Sequence, residues 1–180
     1  VIDLVFFAAV SSDGYLAGPD GDMEWAEKYL TADEDYGFVE LLGATTAVLM
    51  GSKTFDFQLQ AMGGEPQALP TYVLTNNPMR YDGLKDPNVH LIHGPIDLVV
   101  DELSRHVEGQ MLIMGGADVV RQAMDAGLLG QMQLFVTPDV LGAGLPLFEG
   151  ELEGALSGYQ LVGTTQYASG LLKKEYRLNR

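Results

Sequence analysis

The chain has 180 residues, with 10 Lys plus Arg against 25 Asp plus Glu, a net charge of −15 and a pI near 4.3. That length fits a single domain spanning residues 1–180, and that charge excludes nucleic acid and anionic membranes as partners. Cysteine is absent, which removes disulfides, thiolate nucleophiles and Cys-ligated metals, and with no apolar run of the roughly 18–20 residues a membrane span needs, a cytoplasmic protein is expected.

Residues 1–10 (VIDLVFFAAV) form an apolar, β-branched and aromatic run of strand length, expected to be buried on both faces and central in a sheet. Residues 11–25 follow, rich in glycine and without a sustained period, and read as a long functional loop. Thr31 and Glu34 have capping-box spacing, so a helix is expected from Thr31 to Gly43, with Tyr36, Val39 and Leu42 on its buried face and Asp35 at the edge of that face. Residues 1–40 hold ten acids and one base, Lys28, a net of −9.

Residues 45–50 (TTAVLM) are a second buried strand, after which Gly51-Ser52-Lys53-Thr54 turns into a short helix, and Gly63, Gly64 and Pro66 mark a loop. Residues 71–75 and 89–93 are the next strands, the first running into the turn Asn76-Asn77-Pro78. A helix is expected from about Pro95 to Val107, a strand over 110–114, and a helix from Gly115-Gly116 to Ala126 that stops at Gly127. To this point strands and helices alternate, the pattern of a largely parallel sheet. The last third differs: 133–137, 158–167 and 171–178 are strands, the last two joined at Ser169-Gly170 into an antiparallel hairpin. The sum is an α/β fold with about eight strands in a mostly parallel mixed sheet.

Three strands end in polar or glycine-rich turns, at Met50-Gly51-Ser52-Lys53-Thr54, Leu74-Thr75-Asn76-Asn77 and Met114-Gly115-Gly116-Ala117. Ligands of open α/β sheets bind beyond the carboxyl ends of parallel strands, and the free N–H groups of a helix's first turn favour phosphate. Two glycine-preceded helix starts suit a pyrophosphate; Lys53 and Thr54 could add a cation and a hydroxyl, and Asn76, Asn77 and Arg80 could donate to a further phosphate. Neither a P-loop nor G-x-G-x-x-G after the first strand occurs. The three histidines, His90, His93 and His106, have no carboxylates spaced to complete a metal site, so none is expected.

Five motifs carry a family resemblance over essentially the whole chain: AAVSSDGYLA at 8–17, DGDMEW at 20–25, LMGSKTF at 49–55, GGA at 115–117 and LGAGLPLF at 141–148. With them the chain resembles the dihydrofolate reductase-like superfamily, most closely stand-alone proteins related to the reductase domain of the bifunctional riboflavin-biosynthesis deaminase-reductase. The resemblance implies a dihydrofolate reductase-like three-layer fold with helices on both faces, and an NADPH-dependent reductase of a small nitrogen heterocycle of pteridine, folate-like or aminopyrimidine type. By it, Gly51, Ser52, Lys53 and Thr54 and Met114, Gly115, Gly116, Ala117, Asp118 and Val119 would hold the pyrophosphate side. Leu74, Thr75, Asn76 and Asn77 would hold the adenosine and its 2′-phosphate, and Ala9, Leu16 and Ala17 would line the nicotinamide. It also implies a cis Gly115–Gly116 peptide and a homodimer. Family members commonly place Arg where this chain has Ser52, which leaves NADH open as the cofactor.

For the substrate, the resemblance places Asp35 as the acid that binds the ring and Thr137 as its hydrogen-bonding partner, with Trp25, Val39, Phe55 and Met114 framing an apolar pocket. A buried Asp35 would have a raised pKa and could relay a proton; the other reading of Asp35 is a solvent-exposed acid in the first turn of a helix. The alternative function is an NADP(H)-binding module without turnover. The acidic first 40 residues disfavour a multiply anionic substrate.

Overall fold

In the computed structural model the run of β-branched and aromatic residues at the start forms β1 (Ile2–Val10). It lies inside an eight-stranded sheet of order β5-β4-β3-β6-β1-β7-β10-β9. The remaining members are β3 (Thr45–Gly51), β4 (Thr71–Leu74), β5 (Val89–Ile92), β6 (Gly109–Gly115), β7 (Leu129–Val136), β9 (Tyr159–Gln166) and β10 (Leu172–Leu178). These are the eight strands expected from the sequence. The structure describes residues 2–31, 33–63, 65–148 and 152–179; Val1 and Gly64, assigned above to a strand and a loop, lie outside them. The chain divides into two compact units, residues 1–6 with 45–129 and residues 7–44 with 130–180.

In the first unit, among the described residues, the strands pair in parallel: β1 on β6, with Ile2 opposite Gly109 and Phe6 opposite Ile113, then β6 on β3, β3 on β4 and β4 on β5. Parallel strands need crossovers, here α3 (Ser52–Ala61), α4 (Ile96–Leu103) and α5 (Ala117–Asp125). The strands are apolar on both faces because both are covered: Ala47, Leu49, Met50, Met111, Leu112 and Ile113 expose nothing. α5 buries Val119, Val120 and Ala123 on one stripe. It ends as expected at Gly127 (φ +65°), whose N–H donates to Met124 O at 2.9 Å while Leu128 N–H donates to Ala123 O at 2.9 Å, a Schellman closure.

The second unit is antiparallel where its pairings are defined. β10 pairs with both β7 and β9, with a bulge at Glu175 and Tyr176, and the hairpin turns at Gly170 (φ +84°). Two short strands within expected loops, β2 (Tyr15–Ala17) and β8 (Leu145–Pro146), form a separate antiparallel pair. A short helix α1 (Glu24–Glu27) begins at the end of the expected 11–25 loop, and α6 (Leu152–Ala155) precedes β9. Phe7 meets Phe38 and Phe135 at centroid distances of 5.1 and 4.6 Å, and Tyr36 meets Tyr167 edge-on at 4.8 Å, giving this unit an aromatic core.

The helix expected from Thr31 is corrected: α2 runs Phe38–Ala44, and Thr31 instead bridges Glu34. Tyr36 (φ +55°) and Gly37 (φ +82°) take a backbone conformation that no right-handed helix accommodates, so the helix starts only after them. Burial of Tyr36 against Phe135 and Tyr167 offsets the cost of its φ. The later start rotates the inward stripe to Leu41, leaving Val39 71% exposed. Among the described residues, no helix is long and apolar enough to cross a membrane.

Candidate functional site

β3 and β6 are parallel neighbours with Met50 opposite Gly115, so α3 and α5 begin side by side. Gly51 and Gly116 are the residues that cap them, both in extended conformation. A Cβ on Gly51 would lie 3.3 Å from Val119 Cγ2 and 3.7 Å from Gly116 N, and one on Gly116 would lie 3.4 Å from Thr54 Oγ1. The two helix starts thus meet through backbone, with Thr54 and Val119 against the glycines. A helix leaves its first-turn N–H groups without intrahelical acceptors, so Ser52, Lys53 and Thr54 and Ala117 and Asp118 present two adjoining sets of donors. This is a cradle in which a Cβ at Gly51 would be tight and one at Gly116 would touch Thr54, and its donors fit a pyrophosphate. The Gly115–Gly116 peptide is cis. Ala117 and Val119 are buried, Ser52 and Thr54 half-buried and Lys53 exposed; Asp118 points outward and pairs with Arg121. Met114 is exposed at the end of β6.

At the end of β4, Leu74 is half-buried, Thr75 is buried with Oγ1 accepting the Asn77 N–H at 3.1 Å, and Asn76 and Asn77 are exposed. The turn continues into a short 3-10 helix (Pro78–Tyr81). Arg80, expected as a free phosphate donor, pairs with Asp56 at 2.7 Å. Tyr81 OH donates to the same carboxylate at 2.9 Å, and burial followed by that bond pushes its pKa up to about 12. Phe55, expected to frame the substrate pocket, exposes nothing; it packs with Met50, Val73 and Tyr81 and is a core residue.

In the second unit, β2 carries Leu16, half-buried, and Ala17, buried, while Ala9 is half-buried on β1. Gly144 (φ +146°) approaches so closely that an added Cβ would stand 2.0 Å from Ala17 O. Asp13 ties the same two loops: its carboxylate accepts from Ser11 Oγ at 2.6 Å, Gly142 N–H at 2.7 Å and Leu141 N–H at 3.1 Å. Those bonds, the Ser11 hydroxyl first, hold its pKa below the usual carboxylate range. Ser12 donates through N–H and Oγ to Asp139 O. Thus AAVSSDGYLA and LGAGLPLF, separate motifs in the sequence, meet in space.

The Asp35–Thr137 pair does not form. Asp35 is exposed, and its carboxylate accepts from Val39 N–H at 3.0 Å and Gly37 N–H at 3.2 Å, capping α2; these bonds lower its pKa, opposite to the direction expected for a buried acid. Thr137 is buried, its N–H donating to Val10 O at 2.9 Å, and its hydroxyl lies toward Asp139. Asp139 accepts from Tyr29 OH at 2.6 Å and pairs with Lys28, and these contacts, Lys28 first, lower its pKa. Trp25 is half-buried on α1. Sequence reasoning gave no role to Asp13 or Asp139; Asp13 lay inside a quoted motif, whereas nothing in the sequence linked Asp139 to Lys28 and Tyr29. A depression of about 330 Å³ on β7, β9 and β10, lined by Gln131, Gln133, Val162, Glu175 and Arg177 among others, includes none of the expected site residues.

The family described as RibD C-terminal domain matches residues 3–173. The chain is 28% identical over 168 residues to the uncharacterized protein YwjB of Bacillus subtilis, covering 93% of each. A putative riboflavin biosynthesis protein from Shewanella sp. PV-4 superposes with a TM-score of 0.80 at 28% identity over 99% of both chains. Dihydrofolate reductase from Enterococcus faecalis, complexed with NADP(H) and RAB-propyl, matches in fold with a TM-score of 0.68 at 19% identity, over 99% of this chain and 97% of that one.

Proposed function

Because the chain belongs to the RibD C-terminal domain family, whose fold neighbours support a reductase-type activity, we propose that it is an NADPH-dependent reductase of a small nitrogen heterocycle. The observation that carries this reading is the pair of glycine-capped helix starts at Gly51 and Gly116. Backbone N–H groups of α3 and α5 hold the pyrophosphate and ask little of cationic side chains, which suits a chain whose net charge is −15. Thr54 steadies the seat, its hydroxyl lying where a Cβ on Gly115 or Gly116 would touch it. Leu74, Thr75, Asn76 and Asn77 take the adenosine end, and Ala9, Leu16 and Ala17 take the nicotinamide. When bound, the cofactor supplies the hydride. The protein supplies positioning: Asp13 fixes the loop that leads into β2, and Gly144 lets β8 lie against Ala17.

Calorimetry with NADPH and NADH on the whole chain tests this directly. Saturable heat from NADPH, followed by its oxidation at 340 nm with a pteridine or aminopyrimidine, is the expected result; no heat from either dinucleotide overturns it. The position of Asp35 in solvent favours a second reading, a binding module without turnover, and that reading predicts NADPH heat with no oxidation by any heterocycle tried. A homodimer is part of the proposal; β9, at the sheet edge, leaves Leu161 and Val162 each 49% exposed, and sedimentation gives the mass.

A further inference from the structure

The end of this acidic chain is basic. Residues 154–180 hold one of the 25 acids, Glu175, and four of the ten bases, Lys173, Lys174, Arg177 and Arg180, a net of +3. Lys173, Glu175 and Arg177 alternate along β10 and therefore share one of its faces. The register sets Phe135, Gln133 and Gln131 of β7 beside them on one side, and Thr165, Gly163 and Gln160 of β9 on the other. Gln133, Glu175 and Arg177, with Val162 of β9, line the depression of about 330 Å³ that holds none of the expected site residues.

Glu175 stands between two cations and pairs with one. Its Oε1 is 3.4 Å from Nζ of Lys173, a side chain only 15% exposed. Its Oε2 reaches over β9, where a Cβ on Gly163 would stand 2.8 Å away, so the glycine keeps room for the carboxylate. Arg80, Arg105 and Arg121 each pair with a carboxylate, whereas among the described residues Arg177 pairs with none. Gln133 lies directly opposite Glu175, and its Oε1 is buried without a hydrogen bond. Buried acceptors are normally satisfied by protein, water or ligand. The depression thus presents an uncompensated guanidinium two residues along the strand from a pair of acceptors, the Glu175 carboxylate and the Gln133 amide.

We propose that this face of β7, β9 and β10 binds a small zwitterion of the α-amino acid class, using residues on which the dinucleotide reading does not draw. The carboxylate of the ligand lies on Arg177, its ammonium between Glu175 and Gln133, and its aliphatic side chain against Val162. A guanidinium grips a carboxylate through two parallel N–H donors, and an ammonium, with three donors, suits two neighbouring acceptors. Two residues of strand span about 7 Å, which leaves room for both charged groups of an α-amino acid with a hydrogen bond of about 2.8 Å at each end. A simple anion leaves Gln133 Oε1 without a donor, and a simple cation leaves Arg177 without a counter-ion. A molecule carrying both charges answers both.

The test is an NMR titration of the isotope-labelled whole protein with L-leucine, followed at the Gln133 side-chain amide and the Arg177 Nε–H. Saturable shifts at both are expected. Isocaproate, which lacks the amine, and isopentylamine, which lacks the carboxylate, should each bind at least about tenfold more weakly. Arg177→Gln, a change at an exposed position whose fold the amide spectrum reports, should lose at least about tenfold in affinity, and Gln133→Met about threefold. No saturable shift with L-leucine, equal binding of either fragment, or undiminished binding by Arg177→Gln overturns the assignment. So does sedimentation in which Arg177→Gln alone converts a homodimer to a monomer, because the face then belongs to a second copy of the chain. The titration contains no dinucleotide, so its outcome is separate from that of the NADPH calorimetry.

Discussion

Around Gly51 and Gly116 the groups offered to a ligand are backbone N–H groups, aimed by the helices they begin. Around Asp13 and Asp139 the loops are instead tied by carboxylates, held by hydroxyls, an ammonium and loop N–H groups. A seat built from backbone is indifferent to pH and to most side-chain changes, and fails only where a Cβ intrudes. Ties built from carboxylates respond to protonation and to every partner they lose. Acid and substitution should therefore disturb the loops of the second unit before the helix starts of the first.

The largest effect should come from the core under the backbone seat. Phe55→Ala removes a fully buried ring beside Met50 and Tyr81 and should cost about 3–5 kcal/mol in urea unfolding; a loss below 1 kcal/mol would mean that α3 is not anchored by its core contacts. In the second unit, Gly144→Ala sets a Cβ against Ala17 O at a φ of +146° and should cost about 3 kcal/mol. An unchanged midpoint would show that β2 and β8 yield easily, and so blur the contrast with the rigid seat. Gly116→Val places branched carbons toward Thr54 and should lower NADPH affinity about 100-fold in calorimetry while the protein stays folded; full affinity would remove the backbone seat from the argument.

The smallest effect concerns pH. Asp13, Asp35 and Asp139 all have pKa values lowered by hydrogen bonds in the folded protein. Their contribution to stability is complete above the unfolded carboxyl value of about 3.9 and disappears as pH falls through the lower folded values. Unfolding midpoints followed from about pH 6 to pH 2 should fall less steeply in Asp13→Asn than in wild type. Parallel curves would show that the loop tie is energetically silent.

The eight strands of the sheet were readable because buried strands need continuous apolar runs, and such runs are visible without tertiary context. The glycines at 51 and 116 were readable for a similar reason, since a strand that turns at once into a helix needs them locally. Asp35 was not, because Thr31 and Glu34 present an equally good capping signal and only the turn at Tyr36 and Gly37 decides between them. Phe55 was placed in the pocket by resemblance alone, which does not distinguish a pocket wall from the core behind it. Asp139 pairs with residues 110 and 111 positions away, and no local pattern encodes a partner at that separation.

β1 bears on how the chain is made. Its first residues belong to one unit and its last to the other, and its parallel neighbour begins at Gly109, opposite Ile2. During synthesis β1, an apolar nine-residue segment, has no β6 to pair with until the chain as far as Gly109 and beyond has followed. Contacts of such sequence separation form slowly, and a waiting strand of this composition is open to association with other nascent chains. The acids clustered in residues 13–40 emerge directly behind it, placing like charge beside the exposed strand during the interval in which it most needs to be kept apart.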